Sequence, residues 1–332
     1  NKLMNESISY GMTKEYRKEW GPTEAVREIV QNCIDNKQCK HQFIIIDDVI
    51  VVRTLNFTLP MNTFALGESQ NKTNNSIGGF GEGFKLALLV LEREKLQPKV
   101  LFGNKVAIPY FVYDELLEND IFNIVITERD DIITNTSFQF NFPAELVDEL
   151  KLKVTVFADK PLTQDMDNVE LLEDRPGEIF VNGLFVCEEA KFKYGYNFPA
   201  HSISLGCDRE IANPLGLAWE TSRYWSRRTT DNSDIILQMM TDAQLDVQDI
   251  HWHLEEHQAV KITKAFSERY GNVTIKPMGS SLAYGMPVGG SLYNTLAKSK
   301  KIKVANPHEE NGTPYRTLLE LLQANKKQMR RC

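Results

Sequence analysis

Residues 23–36 read TEAVREIVQNCIDN, and the pattern is helical. Glu28, Asn32 and Asp35 are spaced i, i+4 and i+7, so at the helical pitch they lie within about 60° of one another. Val26, Ile29, Val30, Cys33 and Ile34 fall on the opposite side, which makes the segment amphipathic. Pro22 and Thr23 supply the start signal, and a helix is expected over about 23–37. Two readings of its polar face stand side by side. It is a solvated stripe, or it is a site in which a carboxylate activates water and a neutral amide oxygen one turn away holds a divalent cation.

Outward from this helix, HQFIIID and VIVVRT read as two strands, with Asp47-Asp48 as the turn of a hairpin. A short helical piece near PMNTFALG and a polar loop, ESQNKTNNS, follow. Next comes IGGFGEGFKLALLVLERE (77–94), where glycines feed a helix expected from about Gly83 to Lys95. Such a loop leaves N–H groups bare at the positive end of a helix dipole, an arrangement that favours an anion; an ordinary glycine turn has the same composition. Strand-like runs continue at 99–103, 106–113, 121–128 and 136–142. The expected class is α+β, a mostly antiparallel sheet covered by helices, followed by a second α/β domain. The breaker-rich acidic stretch 158–177 marks the boundary, giving domains 1–158 and 159–332.

The order and spacing of these segments, from about Pro22 to Arg93, resemble the GHKL ATPase superfamily. That group includes gyrase B subunits, MutL, MORC proteins and the ninety-kilodalton heat-shock chaperones, and it uses the Bergerat fold. EIVQNCID matches the family's N-box and GGFGEGFK its second glycine box. The resemblance implies ATP and Mg²⁺ as ligands, with Glu28 as the general base and Asn32 as the metal-holding amide. It implies that Gly78, Gly81 and Gly83 line the phosphates beneath a lid, ESQNKTNNSIGG, with Lys72 as the basic lid residue. Asp35, Gly79, Phe80, Glu82, Phe84 and Lys85 complete the expected nucleotide contacts. For Lys72 and Lys85 a solvated lysine is the competing reading. Many members are ATP-gated homodimers, so a homodimer is expected as well.

The chain departs from the family at the first glycine box, D-x-G-x-G, whose Asp reads the adenine amino group. Here TLNFTLP stands in its place, with Pro60 as the closing proline, Thr54 at the Asp position, and Asn56 and Thr58 at the glycines. A threonine hydroxyl has no charge and a shorter reach. In the second half, ISLGCDRE (203–210) sits where the chaperones of the family carry an arginine that reaches the terminal phosphate, which makes Arg209 the candidate. A local salt bridge with Asp208 or Glu210 is the alternative. The expected activity is Mg²⁺-dependent ATP hydrolysis. Its rivals are a phosphate-transferring GHKL kinase and a non-hydrolysing nucleotide-binding or interaction module.

Other features are weaker. HLEEH (253–257) fits a zinc-peptidase pattern but falls in a long helical tract expected around 232–269. ETSRYWSRR (220–228) mixes arginines with aromatics; Trp219 and Trp225 are expected as buried anchors there. EIFVNGLFVCEE reads as one strand, and a last helix is expected from Thr313-Pro314. Beyond Ser291, nine Lys or Arg against three Glu give +6, leaving −13 for the rest of a chain of net charge −7. A basic end of this kind is either solvated or in contact with nucleic acid or an acidic protein. Five cysteines without a CxxC pair argue against a disulfide framework or a zinc ribbon and suit a reducing cytoplasm. No apolar run reaches membrane-spanning length, and the N-terminal residues lack a signal-peptide pattern.

Overall fold

The computed structural model of the protein describes residues 6–65, 82–203, 205, 214–271, 275–276, 290–302, 316–317 and 322. The chain divides into two compact units, 1–162 and 163–332. Both combine helices with antiparallel or mixed sheets, an α+β fold. No described helix is long and apolar enough to cross a membrane.

In the first unit the elements are β1 (Glu6–Thr13), α1 (Pro22–Asp35), β2 (His41–Ile46), β3 (Val49–Thr54), α2 (Glu82–Arg93), β4 (Lys99–Asp114), β5 (Asn119–Asn141) and α3 (Val147–Lys153). The sheet runs β1-β5-β3-β2, with β4 also paired to β5, and every pairing is antiparallel. β5 is the spine: its first part pairs β1, its last part pairs β3, and β4 follows it along most of its length. Strand β1 has no counterpart in the sequence reading, because its apolar residues Ile8, Tyr10 and Met12 are diluted by polar and glycine neighbours.

Four runs read as separate strands are two long ones joined as a ribbon. The expected breaks survive as a bulge. Gly103 pairs Ile133 and Lys105 pairs Glu128, so residues 129–132 bow out opposite a single residue, and Gly103 takes φ +54. Asp47 takes φ +54 in the β2–β3 turn, a conformation that Asp tolerates.

Helix α1 begins where Pro22, needing no N–H partner, follows Gly21, whose own N–H donates to Glu24 Oε2 at 2.9 Å. It stops at Asn36, which leaves the helical region at ψ 76. α1 and α2 pack on one another and on β3 and β4. Alternation along β3 turns Ile50, Val52 and Thr54 inward. A cluster of rings, Phe64 against Phe84 and Phe102 and Phe84 against Phe138, fills the space between α2 and the sheet.

The second unit contains β6 (Glu170–Leu172), β7 (Glu178–Val181), β8 (Leu184–Glu188), β9 (Gly195–Phe198), α4 (Pro214–Ser226), α5 (Thr229–Thr241), α6 (Ile250–His253), α7 (Glu256–Tyr270), β10 (Ile275–Lys276), α8 (Gly290–Ser299) and β11 (Arg316–Thr317). Its main sheet has the order β6-β9-β7-β8, with β7 and β9 parallel. The single strand read in EIFVNGLFVCEE is a hairpin. Asn182 and Gly183 take φ 53 and 79, the two positive angles that a tight Asn-Gly turn requires. The helical tract expected over 232–269 is broken: α5 ends at Thr241, Ala243 takes φ 53, and the short α6 precedes α7. At 316–317 a strand parallel to β10 stands where the C-terminal helix was expected to begin; Leu322 is helical, and the other residues of that stretch lie outside the described residues.

A buried acid organises this unit. Asp246 is fully buried and accepts hydrogen bonds from Lys193 N (2.8 Å), Tyr194 N (3.2 Å) and the Tyr196 hydroxyl, which in turn accepts from Trp225 Nε1 at 2.8 Å. Burial raises the Asp246 pKa, and the hydrogen bonds it accepts offset part of that rise. Trp225 is therefore the buried anchor that was expected, whereas Trp219 is 45% exposed.

Candidate functional site

The polar face of α1 is not a solvated stripe. Glu28 is 7% exposed and Asn32 3%, while Val26, Ile29, Val30 and Cys33 on the apolar side are fully buried. Helix α1 is thus enclosed on both faces, and its acidic and amide groups lie inside the unit. Burying such groups costs free energy unless they are bonded or serve a site. Asn32 Nδ2 donates to Glu28 Oε1 at a long 3.5 Å. Asp35, seven residues past Glu28, is exposed. Asn36 takes its place in the buried series: it is 3% exposed, and its Nδ2 has no hydrogen-bond partner among the described residues. The spacing Glu28, Asn32, Asn36 repeats every four residues, and that was the signal available for Asn36.

Gly83, in the first turn of α2, is set directly against the Glu28 carboxylate. A methyl group there would come within 1.9 Å of Glu28 Oε1 and 2.6 Å of its Cδ. The glycine thus lets the Glu28 side chain lie against the α2 backbone, and a Cβ there would force that side chain to shift. Two stretches far apart in sequence meet at this point, helix α1 and the first turn of α2.

The segment TLNFTLP is fixed from several sides. Leu55 N donates to Lys40 O at 2.8 Å, and Asn56 N donates to Asn135 Oδ1 at 3.0 Å. Thr136 Oγ1 donates to Phe57 O at 2.8 Å and accepts from Leu59 N at 3.0 Å. Asn56 takes φ 51, so an asparagine fills a position with the left-handed geometry that glycine usually supplies. Asn135 and Thr136 stood outside every motif. Nothing local marks them, because their role arises from the register of β5 against β3.

Thr54 is 1% exposed and faces its cross-strand partner His41. His41 Nε2 lies 3.0 Å from the Asn36 carbonyl and Nδ1 lies 3.0 Å from Thr54 Oγ1. A carbonyl only accepts, so Nε2 carries a proton; in the neutral ring Nδ1 is bare and the Thr54 hydroxyl donates to it. Cys33 Sγ, 3.8 Å from Thr54 Oγ1, then donates its S–H to that oxygen. Burial pushes the Cys33 thiol up to about 12. The Thr54 hydroxyl thus spends its donor and one of its two lone pairs inside the fold.

Lys85 is neither solvated nor on an open surface. It is 3% exposed, its Nζ donates to the Ala65 carbonyl at 2.5 Å, and it lies 5.9 Å from the centre of the Tyr10 ring. The Tyr10 hydroxyl donates to Phe64 O at 2.8 Å, so the two side chains tie down the backbone at 64–65. Phe84 is fully buried in the ring cluster. Lys72, Gly78, Gly79, Phe80, Gly81 and Arg209 lie outside the described residues, as does the side chain of Glu82. His253 and His257 of the HLEEH pattern fall on different helices, and His257 pairs with Glu255 at 3.2 Å.

No protein-family model matches the chain, and no curated protein matches it in sequence.

Proposed function

We propose that the first unit is a Bergerat-type domain of the GHKL superfamily that binds a nucleoside triphosphate with Mg²⁺ and hydrolyses its terminal phosphate. One observation carries the reading: a glutamate and an asparagine one turn apart are buried on α1, with the carboxylate seated directly against Gly83. Burying a carboxylate and an amide is costly in a packed core, whereas a hydrolytic site needs the pair.

The donor set suits the ion. Asn32 directs its amide nitrogen toward Glu28, which leaves the amide oxygen, a hard neutral ligand, for Mg²⁺. Mg²⁺, when bound, neutralises phosphate charge. The remaining work falls to the chain. Glu28 orients a water and takes its proton as the water oxygen bonds to the terminal phosphorus. The bond from that phosphorus to the bridging oxygen breaks, and the diphosphate leaves with the electron pair. A positioned general base of this kind contributes about 10²–10⁴-fold. Gly78, Gly81, Lys72 and Arg209 are the proposed phosphate contacts, and a homodimer is the proposed assembly.

A second reading concerns the base and follows from Thr54. With its hydrogen donated to His41 and one lone pair taken by Cys33, its buried hydroxyl keeps a single uncharged lone pair, a weak partner for an adenine amino group. Asn36 Nδ2, a donor, is unsatisfied nearby among the described residues. A base that presents a carbonyl acceptor suits a donor better than adenine does. Titrating ATP and GTP with Mg²⁺ into wild type and Asn36→Ala tests this. The reading expects GTP to bind tighter and to lose its advantage in Asn36→Ala; equal binding of both by both proteins contradicts it.

A further inference from the structure

A second concentration of chemistry lies in the other unit. Three arginines, Arg223, Arg227 and Arg228, stand within six residues at the end of α4, and all three line an open pocket of about 410 Å³. The lining also includes Asp167 and Asn168, just ahead of β6.

Cations at a helix C-terminus have an ordinary explanation in the free carbonyls and the dipole of the last turn. It accounts for Arg228, whose Nη1 donates to Tyr224 O at 2.9 Å and whose guanidinium lies 3.6 Å from the centre of the Tyr224 ring. That stacking stiffens one wall of the pocket. The explanation does not reach the other two. Arg223 contacts Glu220 through one nitrogen at 2.5 Å, and its side chain stays 43% exposed. Arg227 is exposed and has neither an ion pair nor a hydrogen bond among the described residues. The lining sets three guanidinium groups against the two carboxylates of Glu220 and Asp167, and this excess of positive charge favours an anionic guest.

The guest is larger than a lone oxyanion. A pocket of about 410 Å³ lies within the range of small-molecule sites, roughly 300–1,000 Å³. Asp167 and Asn168 offer acceptors for hydroxyl groups on the same molecule. Planar guanidinium forks match phosphate oxygens in pairs.

We propose that this pocket binds a phosphorylated, hydroxyl-bearing molecule of nucleotide size, with its phosphate on Arg223 and Arg227 and its hydroxyls toward Asp167 and Asn168. The site is separate from the one on α1 and does not depend on the nucleotide reading of the first unit. The same phosphate chemistry is available from a free sugar phosphate or from the 5′-phosphate of an oligonucleotide.

Calorimetric titration of the full chain, in phosphate-free buffer at low salt, decides the matter. The probes are ribose 5-phosphate, ribose, and a hexadeoxynucleotide with and without a 5′-phosphate. None of them carries the triphosphate that the α1 site is proposed to take, so that reading can fail while this one stands. Ribose 5-phosphate is expected to bind saturably and ribose not to bind, with Arg227→Gln and Arg223→Gln each weakening binding about tenfold or more. Tighter binding of the 5′-phosphorylated hexamer, with the same arginine dependence, assigns the phosphate to a nucleic-acid end. Failure of both phosphorylated probes to bind overturns the proposal. So does binding of the hexamer regardless of its 5′-phosphate, or binding unchanged in an Arg227→Gln protein that melts like wild type.

Discussion

Replacing Gly83 with alanine places a methyl group 1.9 Å from Glu28 Oε1. Real Cβ contacts begin at 3.0–3.4 Å, so the carboxylate has to retreat by about 1.1–1.5 Å. Its neighbours limit where it can go, since Glu28 is 7% exposed and Asn32 beside it 3%. Two stability effects oppose each other. Alanine in place of glycine within a helix gains about 0.5–1 kcal/mol. Forcing the Glu28 side chain off its rotamer costs about 0.5–1.5 kcal/mol. The net change in unfolding free energy should therefore be within about 1 kcal/mol of zero. Chemistry is far less tolerant: a misplacement of about 1 Å in a catalytic group costs on the order of 10²-fold. Phosphate release by Gly83→Ala is accordingly expected to fall about 10²-fold while its urea unfolding curve stays close to that of wild type. Adding Glu28→Asp, one methylene shorter, should relieve the crowding without restoring turnover. A folded Gly83→Ala protein that releases phosphate at the wild-type rate refutes the argument that Glu28 acts from its place beside Gly83.

Further expectations follow from the buried groups. Thr54→Val keeps the shape of the side chain but leaves His41 Nδ1 without its donor, and should cost about 1–3 kcal/mol in denaturant unfolding; no change would show that the hydroxyl bonds carry no net stability. With its thiol held up near 12, Cys33 should resist iodoacetamide at pH 8 in the folded protein while Cys39 alkylates, as read by mass spectrometry; equal labelling would contradict its burial. Asp246 has a folded-state pKa raised above its ordinary 3.8, so the folded protein holds the proton more tightly. Its protonated form contributes stability that is fully present below the ordinary value and is lost as pH rises through the raised one. Wild type should therefore gain stability relative to Asp246→Asn as pH falls through the carboxylate range, and parallel pH profiles would refute this.

Much of the first unit was legible because its signals are local. The period of α1, the β2–β3 hairpin and the apolar helix α2 each follow from short-range chemistry. The failures share a cause. β1 and the long β4–β5 ribbon are defined by pairing between distant strands, and polar residues in the bow at 129–132 disguised one strand as two. The hairpin at Asn182-Gly183 was a local signal that the apolar run around it concealed. In the candidate site, the face that holds Glu28 and Asn32 was readable from spacing. Its enclosure was not, since burial depends on α2 closing over α1. Asp35 and Asn36 show the limit of periodic reasoning. Helical geometry favoured Asp35, but the chain leaves the helix at Asn36, and it is the asparagine that turns inward.

The central claim is that a buried carboxylate on α1 takes the proton of water during triphosphate hydrolysis. The most direct test measures phosphate release and Mg²⁺-nucleotide binding for wild type and Glu28→Gln, which keeps the size of the side chain and removes its basicity. Release is expected to fall by about 10²–10⁴-fold with nucleotide affinity retained. Saturable binding of no nucleotide to wild type, or undiminished release by Glu28→Gln, would contradict it.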